Sequence, residues 1–122
     1  MPLLSICIPT FNRKKYLEIL LSQIEHLIQQ DYLDIEICIS DNSSDDGSWE
    51  YIKKFASQSS RVHIKRQEIN IGGNRNLIDI TSIASGKWIL VIGDDDTLIV
   101  ENLEKLLLTL PDLKAFNYIL LN

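Results

Sequence analysis

Three consecutive carboxylates, Asp94, Asp95 and Asp96, follow the apolar run 88–92 in the stretch GKWILVIGDDDTLI. Gathered in a poorly solvated place, they repel one another by roughly a few kcal/mol. Either water disperses them or a positive charge collects them. The N-terminus of a following helix accounts for one such aspartate, or two. Three of them after a buried strand suit hard oxygen ligation of Mg²⁺ or Mn²⁺, which bind through one or two carboxylates and substrate phosphates.

Two other polar stretches offer complementary chemistry. In DNSSDDG (41–47) most residues are turn formers, and Asp46 or Ser48 is placed to cap the next helix. Asp41 stands apart, because it closes an apolar run and its carboxylate there can accept a hydrogen bond from the N–H of a pyrimidine base. Position 45 is Asp, so the metal-binding pattern DxSxS is not met. In NIGGNRN (70–76), Gly72 and Gly73 permit positive φ and a close backbone approach. A helix opening near Asn74 would aim free N–H groups at an anion, and Arg75 adds a forked donor suited to phosphate. The spacing matches neither a Walker A loop nor a dinucleotide fingerprint. A plain glycine turn with a solvated arginine explains the same residues equally well.

These residues need elements to carry them. Short β-branched runs alternate with helical periodicity, the pattern of βαβ units and a mostly parallel sheet. Strands are predicted over 3–8, stopped by Pro9, and over 35–40, 61–66, 88–92 and 114–121. The third is polar enough for an edge, and the fourth is continuous enough to be covered on both faces. Helices are predicted over 14–29, 48–56, 74–84 and 101–109. In an open parallel sheet, ligands bind where the strands' carboxyl ends enter the following helices. PTFNR (9–13), DNSSDDG and GDDD would then converge on one rim.

At 122 residues, 45 % hydrophobic and 24 % charged, the chain suits one globular domain. A net charge of −5 argues against nucleic acid as a partner. Cys7 and Cys38 lie inside apolar runs and read as buried thiols, which suits a reducing compartment. No signal peptide and no apolar run of membrane-spanning length is present, so a cytoplasmic location is expected, with peripheral association at the cytoplasmic face of a membrane left open. A final strand ending at Asn122 suggests the first part of something longer, a single domain over 1–122 cut before an acceptor-binding part.

In order and spacing, SICIPTFNR (5–13), ICISDNSSDDG (37–47), NIGGNRN (70–76) and ASGKWILVIGDDD (84–96) together resemble family 2 glycosyltransferases of the GT-A fold. The resemblance implies a three-layer Rossmann-like GT-A domain, a mostly parallel central sheet flanked by helices. It implies a divalent cation, Mn²⁺ or Mg²⁺, a nucleoside-diphosphate sugar donor of UDP or dTDP type, and a glycan or lipid-linked acceptor. The reaction is sugar transfer to an acceptor hydroxyl with inversion, in polysaccharide or cell-surface glycan assembly. Carried over residue by residue, Pro9, Thr10 and Asn12 border the nucleoside, Asp41 takes the base, and Asn42, Gly73 and Arg75 belong to the donor nucleotide site.

The acidic cluster stands where the family's DxD motif lies, with one departure. Gly93 falls on the first motif carboxylate, Asp95 then matches the second and Asp94 reaches the ribose, with Asp96 as the further metal candidate. In the alternative register Asp94 and Asp96 form the motif themselves. The family's general base is a carboxylate, and no residue here matches its segment. A non-catalytic donor-binding module is the competing expectation. A receiver-type signalling domain lacks its acids after the first strand, and a sugar-nucleotide pyrophosphorylase lacks its basic glycine-rich loop there.

Overall fold

A computed structural model describes residues 1–113 of the chain. The strand expected over 114–121 lies outside the described residues. Four parallel strands, β1 (Leu4–Thr10), β2 (Ile35–Asp41), β3 (Val62–Arg66) and β4 (Trp88–Val91), form one sheet in the order β3-β2-β1-β4. Helices α1 (Lys14–Ile28), α2 (Ser48–Ala56), α3 (Gly73–Ile80) and α4 (Val100–Thr109) connect or follow them.

Alternation along the central strands builds the two faces. Leu4, Ile6 and Ile8 of β1 and Ile35, Ile37 and Ile39 of β2 join the main core with Leu17, Leu20, Leu21, Ile24 and Leu27 of α1. Ile52 and Phe55 of α2 and Leu103 and Leu107 of α4 complete that core. The opposite face carries a smaller cluster in which Cys7 and Cys38, both free thiols, pack on Ile80 of α3. The result is the expected three-layer α/β architecture, parallel throughout its described strands.

Three local expectations change. First, β1 runs through Pro9 to Thr10. Cys7 turns its carbonyl toward β4, where it accepts from Ile92 N–H, so Pro9, two residues on, turns its missing donor to the same side. β4 has ended there at Val91, so no ladder bond is lost. Second, α3 stops at Ile80 and tightens into a 3₁₀ turn over Thr81–Ile83. Thr81 and Ser82 hydroxyls donate back to the carbonyls of Ile78 and Asp79, competing with continued α-helix. Third, among the described residues β4 is covered on one face: Trp88 and Leu90 pack on the main core, while Ile89 and Val91 are 47 % and 44 % exposed.

Buried polar groups pin the sheet to its loops. Glu36, the second residue of β2, accepts from Ser5 Oγ (2.5 Å), Ser85 N (2.6 Å) and Ser85 Oγ (2.9 Å), and His63 Nε2 lies 3.2 Å away. One carboxylate thereby joins β1, β2, β3 and the turn that enters β4.

Candidate active site

The strand order fixes where a ligand can sit. After β3 the chain crosses to the far side of β1 to form β4, so the crevice of the fold opens beyond the carboxyl ends of β1 and β4. Both polar loops that end these strands meet there. Thr10, the last residue of β1, donates its hydroxyl to Asp94 Oδ2 at 2.8 Å across 84 residues of sequence. Arg13 Nη1 lies 2.7 Å from Asp95 Oδ2 and 3.6 Å from Asp94 Oδ1. A positive charge from the chain itself therefore gathers two of the three acids.

The three aspartates are not equivalent. Asp94 is 7 % exposed, and burial is the main force pushing its carboxyl above the ordinary range; neighbouring Asp95 adds to it, while Thr10 and Arg13 pull the other way. Asp95 is about half exposed and held by Arg13. Asp96 folds back so that Oδ2 accepts from Gly93 N–H at 2.7 Å. The three therefore differ in burial and partners, and no group of three metal-ligating side chains forms among the described residues.

A two-carboxylate arrangement fits a hard divalent cation. A Cβ on Gly93 would stand 3.0 Å from Asp96 Oδ2 and 3.1 Å from Asp95 Oδ1. The two carboxylates thus fold around the space that glycine leaves free, and Mg²⁺ or Mn²⁺ needs only one or two protein carboxylates when phosphate completes its shell. A side chain at position 93 would fill that space.

The loop after β2 is built on the same rim. Asp41, fully buried, accepts from Ser44 N at 3.2 Å and from Ser44 Oγ, and Arg66 Nε lies 3.4 Å from its Oδ2. Arg66 also donates to the Ser44 carbonyl at 2.8 Å and lies over the Trp49 ring. Asn12, with φ 49°, takes the left-handed conformation that asparagine tolerates. Its N–H donates to Ser44 Oγ and its Oδ1 accepts from Asp45 N, both at 2.9 Å. Asp46 starts two helices at once: Oδ2 accepts from Lys14 N of α1 and Oδ1 from Ser48 N of α2, each at 3.0 Å. Half of DNSSDDG is thus structural, as its turn chemistry suggested.

Asn42 joins this loop to the glycine loop. Its amide donates to Asn70 Oδ1 at 3.0 Å, and its Oδ1 accepts from Ile71 N at 2.9 Å. Asn76, buried at the first turn of α3, bonds both the hydroxyl and the carbonyl of Ser40. Gly72, with φ 88°, precedes α3, whose first residue is Gly73. Arg75 is exposed, with no ion pair among the described residues.

The structure therefore brings Thr10, Asn12, Asp94, Asp95 and Asp96 onto one crevice, with Asp41 and Asn42 as loop-holding groups and Gly73 and Arg75 in the first turn of α3. Pro9 contributes backbone at the end of β1. Sequence reasoning passed over Arg13, Ser44 and Phe11, the last 41 % exposed on the same rim. The signal for Arg13 was present: a forked cation three residues beyond the strand end, in register with the acids after β4.

Comparisons with known proteins agree with this geometry. The model of glycosyl transferase family 2 matches residues 5–117. The abequosyltransferase RfbV of Salmonella typhimurium is 43 % identical over 103 residues, which is 83 % of this chain and 30 % of that protein. The S. aureus protein TarS (residues 1–349), solved in complex with UDP-GlcNAc, superposes with a TM-score of 0.77 at 24 % identity, covering 90 % of this chain and 31 % of TarS. The mannosyltransferase PcManGT of Pyrobaculum calidifontis, solved with GDP-Man and Mn²⁺, gives 0.66 at 19 % identity, covering 79 % of this chain and 28 % of its own. This chain thus spans about a third of the length of the proteins it matches. No described helix is long and apolar enough to cross a membrane.

Proposed function

The chain belongs to glycosyl transferase family 2, and from that premise we propose that it forms the donor-binding part of an inverting glycosyltransferase. The donor is a nucleoside-diphosphate sugar of UDP or dTDP type, and the acceptor hydroxyl belongs to a glycan or lipid-linked glycan, as in cell-surface polysaccharide assembly. One observation carries the reading: the Thr10–Asp94 bond and the Arg13 ion pairs bring the β1 and β4 loops together at the crevice of the sheet.

Each residue has a part in it. Pro9, Thr10 and Asn12 line the nucleoside side of the crevice, and exposed Phe11 offers a ring of the kind on which bases stack. Asp94, fixed by Thr10, is aimed by a short hydroxyl contact and takes the ribose. Asp95 with Asp96 would hold Mn²⁺ or Mg²⁺, in agreement with the Mn²⁺ of the Pyrobaculum neighbour. When bound, the cation screens the charge that develops on the departing diphosphate. Arg75 and the glycine backbone at the start of α3 supply further donors to phosphate.

Asp41, fully buried, accepts from Ser44 and faces Arg66, so its part in the nucleoside site is to hold the loop that borders the base. The protein's work in this half is to fix the diphosphate and orient the anomeric carbon. No residue of this chain is assigned the general base. The setting that suits such a donor is the cytoplasm, at or near a membrane face.

Calorimetry with UDP, with and without Mn²⁺, tests the reading. Binding is expected to depend on the cation and to weaken at least tenfold in Asp95→Asn. Binding that ignores both cation and substitution would overturn it.

A further inference from the structure

Arg13 has a use that the donor-binding reading leaves open. Its backbone is fixed, because the Arg13 carbonyl accepts from Leu17 N at 3.0 Å and so anchors the first turn of α1. Its side chain is half exposed, at 51 %, and its partner Asp95 is 49 % exposed. The guanidinium nonetheless lies on the acids, 2.7 Å from Asp95 and 3.6 Å from Asp94, while Asp94 is held independently by Thr10. Asp95 is thus shared between two positions: one oxygen on Arg13, the other folded toward Gly93 and Asp96.

We infer that Arg13 is the built-in counter-ion of the acidic rim, which makes cation binding conditional on a diphosphate. In the free protein its single charge offsets part of the negative charge of Asp95 and Asp94. A divalent cation arriving alone must displace or face this fixed positive charge, and the two cations repel at close range. A cation arriving with a diphosphate brings the anion to which a displaced guanidinium can turn, since its fork suits phosphate as well as carboxylate. Cation and diphosphate should therefore bind with positive coupling, and Arg13 should carry part of that coupling. The inference rests on the assignment of Asp95 as a cation ligand.

Manganese binding measured by electron paramagnetic resonance, on the purified protein with and without UDP, tests it. In Arg13→Gln, Mn²⁺ alone is expected to bind roughly three- to tenfold tighter than in the parent, the range set by a half-exposed charge near a divalent ion. The enhancement of Mn²⁺ affinity by UDP should shrink in the same variant. Arg13→Lys, which keeps the charge without the fork, should restrain free Mn²⁺ as the parent does. Equal or weaker Mn²⁺ affinity in Arg13→Gln, with the UDP enhancement intact, would overturn the counter-ion role alone. Absence of Mn²⁺ binding to the parent even with UDP would instead overturn the assignment of Asp95. Should Arg13→Gln melt well below the parent, a second neutral variant, Arg13→Met, decides: Mn²⁺ alone held tighter than in the parent supports the inference, and equal or weaker binding refutes it.

Discussion

Replacing Asp94 by asparagine separates the needs of the fold from those of the site. Thr10 donates to Asp94 Oδ2 at 2.8 Å, and an amide oxygen in its place still accepts that bond. The change from a charged to a neutral acceptor costs about 1 kcal/mol. The Arg13 contact at 3.6 Å involves a half-exposed guanidinium, so its loss costs about 0–1 kcal/mol. Against both stands the relief of burying a carboxylate whose pKa burial has already raised, together with lost repulsion from Asp95. The opposing effects leave stability within about 1 kcal/mol of the parent, or about 3–6 °C in Tm.

Ligand binding behaves differently. A hydrogen bond from a ribose hydroxyl to a carboxylate contributes about 1.5–3 kcal/mol, so UDP with Mn²⁺ should bind about 10- to 150-fold more weakly. Thermal melts and calorimetry on the same preparation provide the comparison. The pH dependence has a definite sign as well. The folded pKa of Asp94 lies above its ordinary 3.8, so the ionised parent is penalised at neutral pH and regains stability as pH falls through the raised value. Stability of the parent relative to Asp94→Asn should therefore rise on acidification. A Tm drop of more than about 10 °C at neutral pH, with binding unchanged, would refute the assignment and make Asp94 a structural residue.

Two further substitutions probe the scaffold. Asp46→Ala removes the acceptor for the first N–H groups of two helices and should cost about 1–3 kcal/mol in urea denaturation at neutral pH. Burial pushes the Asp46 carboxyl up, but its bonds from Ser48 and Lys14 outweigh that and leave the pKa lowered. Its contribution is therefore present above the ordinary 3.8 and fades as pH falls through the lower folded value, so the gap between parent and variant should close in acid. A gap that persists unchanged in acid would show that capping by the carboxylate is not its source. Gly86→Ala places a Cβ 2.5 Å from Ser5 Oγ, 2.6 Å from Ser5 N and 3.0 Å from the Leu4 carbonyl carbon. The β1 backbone cannot yield, so about 1–3 kcal/mol or more of stability should be lost, and a urea midpoint unmoved from the parent's would contradict the packing described.

Much of this molecule is written in short-range patterns. The steps of three and four between Leu17, Leu20, Leu21, Ile24, Leu27 and Ile28 specify the buried stripe of α1 without reference to any other part of the chain. The β-branched runs specify β1 and β2, and the turn residues of DNSSDDG specify their own hydrogen bonds to the helix starts. The four motifs in sequence sufficed for the family, because their order and spacing reflect strand ends that any such sheet brings to one rim. Departures arose where a distant partner decides. Pro9 continues β1 because the neighbouring strand ends short of it, and Glu36 is buried in an apolar run because Ser5, Ser85 and His63 reach it from three other elements.

The acidic cluster shows the division most clearly. Sequence alone determined that three carboxylates follow a strand and that either water disperses them or a positive charge gathers them. Which charge does so depended on Arg13, 82 residues from Asp95. Which acid is buried depended on Thr10, 84 residues from Asp94. Neither pairing has any signature in local periodicity. Both follow from β1 and β4 being hydrogen-bonded neighbours although 77 residues separate the end of one from the start of the other. Sequence fixes what each strand end carries, and the order of strands in the sheet decides which ends meet.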